Sequence, residues 1–348
     1  MRRLVSAVAV VAVIGTMPVA NAARGPKPVP PGKACHDRSD GVGEVALKVD
    51  RKKATGRYAL PSKAPTTLVV FAHGYGHDTR SWIEHMRGAA RDHRVLAVTM
   101  DYRGTYEQTN EDGSETIRGW FVKEGAQDLI AAAEYFKHTC SSINETVLFS
   151  VSMGGNAAGL ALASAGSNDA PDDSPLFDHW FNVEGAVNVI ETYAGASLLA
   201  PVNGFAANAK ADIEEEVGGT PADDPEGYAD LAVVSHIAEI AASGVQGVAV
   251  IHAVEDGLVP YNQAREIAAE LASEQIPTEF YTVIGKGDGE SGTTLTGYSG
   301  NNSSPFAGHA SEKSDTHLVM VTAFDRLWAL VDEGAGFENY SEHPVPGI

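Results

Sequence analysis

The sequence predicts an α/β protein: a mostly parallel central sheet with helices on both faces. Three observations predict it. Short, nearly unbroken apolar runs recur at residues 67–72, 94–100, 145–150, 180–187, 248–253 and 278–284, as strands buried on both faces require. Segments of helical period lie between them, at residues 81–91, 123–138, 153–165, 262–273 and 315–331. The alternation of the two is the signature of parallel strands joined by crossover helices.

Each element follows from its residues. Residues 45–58 suit one or two edge strands. In 123–138, Leu129, Ala132, Ala133 and Phe136 fall on one helical face. Residues 153–165 carry Gly155, Ala157, Ala158, Gly159 and Ala161, so this helix can press closely on a sheet. Residues 188–245 break the rhythm: they are Ala-rich with helical patches, and read as an inserted cap over one end of the sheet or as an extra helical layer. Residues 286–308 are rich in Gly, Ser, Asn and Thr and read as a long irregular loop. Asp315 or Thr316 is the natural N-cap of the last helix. No internal repeat is present. The predicted organisation is a signal peptide (1–22), an N-terminal tail (23–44) and one domain (45–348) bearing the cap.

Composition narrows the function. The 348 residues carry a formal net charge of −21, so nucleic acid and anionic membrane surfaces are repelled. Arg2 and Arg3, the apolar run 4–14 and the small-x-small site Ala20-Asn21-Ala22 read as an export signal cleaved after Ala22. An uncleaved anchor is the alternative, disfavoured by Gly15 and Pro18. No other segment is apolar enough for stable membrane insertion. In an exported chain the two cysteines, Cys35 and Cys140, suit a disulfide, against the alternative of two free thiols.

The chemistry centres on Ser152, in Ser150-Val151-Ser152-Met153-Gly154 between an apolar run and a small-residue helix. A hydroxyl on a sharp strand-to-helix turn is held exposed, and the helix N-terminus points at whatever it attacks. The usual pattern is G-x-S-x-G; here Ser150 replaces the first glycine. The bland reading is an ordinary turn with a helix-capping serine. Other reactive residues also follow predicted strands, and in a parallel sheet such positions converge on one rim. They are His73-Gly74-Tyr75-Gly76, Asp256 within Asp256-Gly257-Leu258-Val259-Pro260, and His309 within Gly308-His309.

With Asp101-Tyr102-Arg103-Gly104, this set resembles the α/β-hydrolase superfamily from about Thr67 to Val331, most closely its secreted bacterial esterase, lipase and dienelactone-hydrolase-like members. The resemblance implies the α/β-hydrolase fold and a Ser152–His309–Asp256 triad. It also implies an oxyanion hole from the backbone N–H groups of Met153 and Tyr75, and no cofactor. His317 rivals His309 as base; Glu255 and Glu184 rival Asp256. His73 would brace the oxyanion loop, and His77 and His252 would be surface or packing residues. No histidine pair has helix-face metal spacing such as H-E-x-x-H.

These readings point to a secreted serine hydrolase cleaving carboxylic esters, small or polymeric, through an acyl-enzyme. Leu198, Leu199, Val202 and Phe205 either line its acyl pocket or only pack the cap. A serine peptidase of the same architecture is the alternative. The chain leaves no room for the large N-terminal propeller of prolyl oligopeptidases. An aminopeptidase could use Glu214, Glu215 and Glu216 for an α-ammonium, although a solvated charged face explains that run too. The third reading is a catalytically silent fold used for binding.

Overall fold

A computed structural model describes residues 35–37, 41–109, 113, 115–166, 174–284 and 308–347. The expected signal peptide, the tail up to residue 34 and the loop 286–307 lie outside the described residues. Strands β1 (Val42–Val49) and β2 (Lys52–Ala59) form an antiparallel hairpin. It turns at Asp50 and Arg51, both at positive φ. Next come β3 (Thr67–Ala72), a 3₁₀ turn at Thr79–Trp82, α1 (Ile83–Asp92), β4 (Leu96–Met100), and a small hairpin of β5 (Tyr106–Thr109) and β6 (Glu115–Arg118). Helix α2 (Val122–Thr139), β7 (Glu145–Val151), α3 (Met153–Ala165) and β8 (His179–Val183) follow. Four helices come next, α4 (Val189–Leu199), α5 (Gly204–Val217), α6 (Pro225–Leu231) and α7 (Ile237–Ala242). The chain then runs through β9 (Gly247–Ala253), α8 (Tyr261–Ser273), β10 (Thr278–Ile284), α9 (Leu318–Glu333) and β11 (Ser341–Pro346).

Nine strands form one sheet in the order β1-β2-β4-β3-β7-β8-β9-β10-β11. From β4 across to β11 every pairing is parallel; only the two at the β1 end are antiparallel. The mostly parallel α/β fold with helices on both sides is therefore the observed one. Side-chain alternation splits the core in two. Leu68, Val70, Leu148, Val248 and Val250 face α2, α3 and α8, while Val69, Phe71, Phe149, Ala249 and Ile251 face α1 and α9. Each fully buried large apolar side chain contributes about 1.5–3 kcal/mol. The chain leaves β3 toward β4 and returns to β7 on β3's other side, so β3 and β7 flank the switch point where an open α/β sheet binds ligands.

Several boundaries differ from the sequence reading. Strand β1 begins at Val42, inside the expected tail. Strand β8 ends at Val183, because Glu184 takes φ 48° and breaks the extended run. The last helix starts at Leu318 with His317 as N-cap, not Asp315 or Thr316, since His317 Nδ1 accepts from the Val319 amide at 3.3 Å. Neither β5–β6 nor β11 was expected: the hairpin is polar and mostly exposed, and β11 carries two prolines at an edge. Cys35 and Cys140 form a disulfide, with Cα atoms 5.6 Å apart across 105 residues of chain. It ties the N-terminal segment to the end of α2. Among the described residues no helix is long and apolar enough to cross a membrane.

Candidate active site

Ser152 lies between β7 and α3 at φ 57° and ψ −126°, a region that non-glycine residues rarely occupy. The neighbours hold it there. Its amide donates to the Val183 carbonyl (3.0 Å), and its own carbonyl accepts from the amides of Gly155 (2.8 Å) and Ala186 (2.9 Å). A Cβ at Gly154 would sit 2.4 Å from the Ala72 carbonyl oxygen, so only glycine lets α3 start this close to β3. The departure from the usual elbow is also explained. Ser150 is fully buried; its hydroxyl donates to the Phe181 carbonyl (3.0 Å) and accepts the Trp180 indole N–H (3.0 Å), linking β7 to β8.

The loop after β3 approaches the serine from the other side of the switch point. A Cβ at Gly74 would meet Glu312 Oε1 at 2.7 Å and Ser152 Cβ at 3.1 Å. The Gly74 amide donates to Glu312 Oε1, and His77 Nδ1 pairs with Glu312 Oε2. His73 stacks on Tyr102 (ring centroids 4.0 Å apart), and the Tyr102 hydroxyl donates to the His73 carbonyl at 3.0 Å. Among the described residues no acceptor takes up the amides of Tyr75 or Met153. The Tyr75 hydroxyl donates to Asp212 Oδ2 on α5 at 2.6 Å. Asp212 also accepts from Arg118 and from the Gly119 amide, so α5 is pinned to both the β3 loop and the β6 end.

Asp256 and His309 meet: Asp256 Oδ2 lies 2.8 Å from His309 Nδ1. Asp256 Oδ1 accepts the amides of Leu258 (2.8 Å) and Val259 (3.0 Å), which fixes the carboxylate plane. Burial disfavours the Asp256 charge, but His309 and His252 outweigh it and hold the carboxyl below the usual carboxylate range. Burial likewise pushes the His309 imidazole down, yet the charge and hydrogen bond of Asp256, with Glu184 and Glu312 behind, raise it to about 9. His309 and Ser152 line one narrow cavity with Tyr75, Phe205, Leu258 and Glu312. Its volume, about 10 Å³, is near that of a single water. In its neutral form, an imidazole whose Nδ1 is held by a buried carboxylate presents Nε2 as a proton acceptor, the state a neighbouring hydroxyl needs to become a nucleophile.

Of the rivals, Glu184 lies beside the pair, its Oε2 3.5 Å from His309 Nδ1, while the others hold different places. Glu255 is exposed. His317 spends Nδ1 on capping α9, and burial with the nearby His309 lowers its pKa to about 4. His252 is no bland packing residue: its Nε2 lies 3.2 Å from Asp256 Oδ2. Of the four apolar cap residues, Phe205 alone lines the cavity, while Leu198 and Val202 face outward at 80% and 86% exposure. Glu214 pairs with Lys210 and Tyr193, away from the cavity. A groove of about 390 Å³ lies beside Arg57, Asp78, Arg80, Asp101 and Glu107, but it contains none of these reactive residues.

The sequence reading missed Glu312. It lies in no motif, and only the fold brings it under the β3 loop. Its carboxyl, opposed by burial, is held at about 2 chiefly by His77. Among the described residues one cluster has metal-ligand proximity, Glu184, Asp256 and His309. Its oxygens are already engaged by backbone amides and the imidazole.

The family model of the prolyl oligopeptidases (Peptidase_S9) matches residues 88–294. The chain belongs to the prolyl oligopeptidase family. That family lies within the α/β-hydrolase superfamily. No curated protein matches it. The fold resembles that of the Pyrococcus horikoshii acylaminoacyl peptidase, with TM-score 0.54 and 16% identity, over 87% of this chain and 42% of that one. It resembles a Mycobacterium tuberculosis puromycin-hydrolyzing peptidase at TM-score 0.53 and 15% identity, over 89% and 42%. It also resembles a Pyrobaculum calidifontis esterase at TM-score 0.56 and 16% identity, over 84% and 85%. The chain thus spans about two fifths of the two peptidases and most of the esterase. At these identities the likeness is one of fold.

Proposed function

We propose that this family member is a secreted carboxylic-ester hydrolase working through an acyl-enzyme on Ser152. His309 takes the Ser152 proton through Nε2 as the hydroxyl attacks the ester carbonyl, and then gives it to the departing alkoxide. Asp256 keeps Nδ1 protonated and stabilises the imidazolium. The amides of Met153 and Tyr75 receive the tetrahedral oxyanion; losing one such donor costs about 3 kcal/mol in the barrier. Water then attacks the acyl-enzyme by the same relay and releases the acid.

The observation that carries the reading is the 2.8 Å Asp256–His309 contact beside the cavity that Ser152 lines. An ester, rather than a peptide with a free amino end, is favoured by the state of the nearby carboxylates. Glu312 is committed to Gly74 and His77, and Asp212 to Tyr75 and Arg118, so among the described residues neither is left for an α-ammonium. Family membership favours the peptidase reading instead. Export is supported by the N-terminal pattern and the disulfide.

The test compares p-nitrophenyl esters with aminoacyl p-nitroanilides, together with fluorophosphonate labelling. Ester turnover that Ser152→Ala abolishes, with the fold intact by circular dichroism, supports the proposal. Turnover of anilides alone moves the assignment to a peptidase. Absence of both turnover and labelling leaves a binding protein.

A further inference from the structure

The segment bearing His309 belongs to no strand or helix, yet its imidazole must be aimed closely. Glu184 does part of that work. It is fully buried at the end of β8, at φ 48°, a backbone conformation that costs a non-glycine residue energy. Its Oε2 accepts the Ala310 amide at 2.6 Å, and its Oε1 accepts the Ala253 amide at 3.3 Å. Oε2 also lies 3.5 Å from His309 Nδ1. One side chain therefore joins the end of β9, three residues before Asp256, to the residue after His309.

We propose that Glu184 is a positioning residue for hydrolysis, tying the base's segment to the acid's strand and placing a second negative charge beside the imidazole. The inference rests on the proposed role of His309. The groups facing that imidazole are Asp256 and Glu184 from the two strand ends and Glu312 and His317 from its own side, with His252 behind Asp256. Burial and the Asp256 charge raise the Glu184 carboxyl to about 7, so its charge varies within the working range.

Glu184→Gln keeps the shape and removes the charge, its one amide oxygen still able to accept from Ala310 while the longer Ala253 contact is given up. Expected are a kcat lower by about 10- to 100-fold with KM within about twofold, and a pH–rate acid limb moved downward by about half a unit or more. Glu184→Asp, which restores the charge, returns the acid limb toward the wild-type position. A purely structural role would leave the limb unmoved. His309 is also titrated by NMR, which needs no substrate: its pKa falls in Glu184→Gln. An unchanged His309 pKa overturns the proposal whether or not esters are substrates, whereas a lowered pKa in a protein that turns over no ester upholds it and rejects the ester reading alone. If Glu184→Gln does not fold, Glu184→Asp decides, because it keeps the charge but shortens the reach to Ala310 and Ala253: a lowered kcat with KM held supports the proposal, and an unchanged kcat overturns it.

Discussion

The Trp180 indole N–H donates to Ser150 Oγ over 3.0 Å, in the position where a serine elbow usually has glycine. The hydroxyl passes the interaction on to the Phe181 carbonyl, so a buried indole donor is satisfied inside the sheet. Restoring the common motif should therefore harm the protein. Ser150→Gly is expected to lose about 1–3 kcal/mol of stability by leaving the Trp180 donor without its acceptor. Urea unfolding would measure it, and a variant as stable as the parent would reject the argument.

Two glycines make a matched pair. An added Cβ at Gly154 meets the Ala72 backbone at 2.4 Å, whereas at Gly88, within α1, it meets nothing within 4 Å. Gly154→Ala should cost about 1–3 kcal/mol through overpacking and depress kcat, because the contact pushes on the strand feeding the oxyanion loop. Gly88→Ala should stabilise by up to about 1 kcal/mol with unchanged kinetics. Thermal melts and steady-state rates on both variants separate strain at the elbow from a generic glycine effect.

Asp256→Asn tests the orienting carboxylate. The amide oxygen can still accept from Leu258 and Val259, which turns its NH₂ group toward His309 and favours the wrong imidazole tautomer. The expected loss is about 10⁴-fold in kcat with little change in KM. A loss under tenfold would show that another group orients the imidazole.

The pH dependence follows from the charges around His309. As base it must be neutral, and its pKa is raised to about 9. Log kcat/KM should therefore climb with pH through neutrality and level off near 9, about two and a half units above an unperturbed histidine. The stability sign is opposite. A pKa raised on folding stabilises the native state below the unfolded value of about 6.5, and that contribution is lost as pH rises through 9. A rate plateau already reached at pH 7 would contradict the charge arrangement.

Local pattern made much of this molecule legible. Helix α3 and strand β10 begin and end where their residues indicate, since buried apolar runs and small-residue faces are strong local signals. Exposed elements were not readable. The β5–β6 hairpin and β11 owe their pairing to neighbours rather than to apolar pattern. In the site, Ser152, Asp256 and His309 stand out because each follows a strand in a distinctive local motif. Glu312 does not, and Glu184 was legible only as a rival acid, because a carboxylate's role depends on which amide it meets.

The one-dimensional chain alone determined the α/β class, the strand-helix alternation and the residues able to carry nucleophilic chemistry, because hydrophobic period and turn residues act over a few positions. Only the tertiary structure decided which carboxylates surround His309, which rival histidine caps a helix instead, and how a serine stands in for the elbow glycine. Those outcomes depend on groups tens to hundreds of residues apart sharing one desolvated space, where a hydrogen bond or a charge a few ångströms away sets protonation and position.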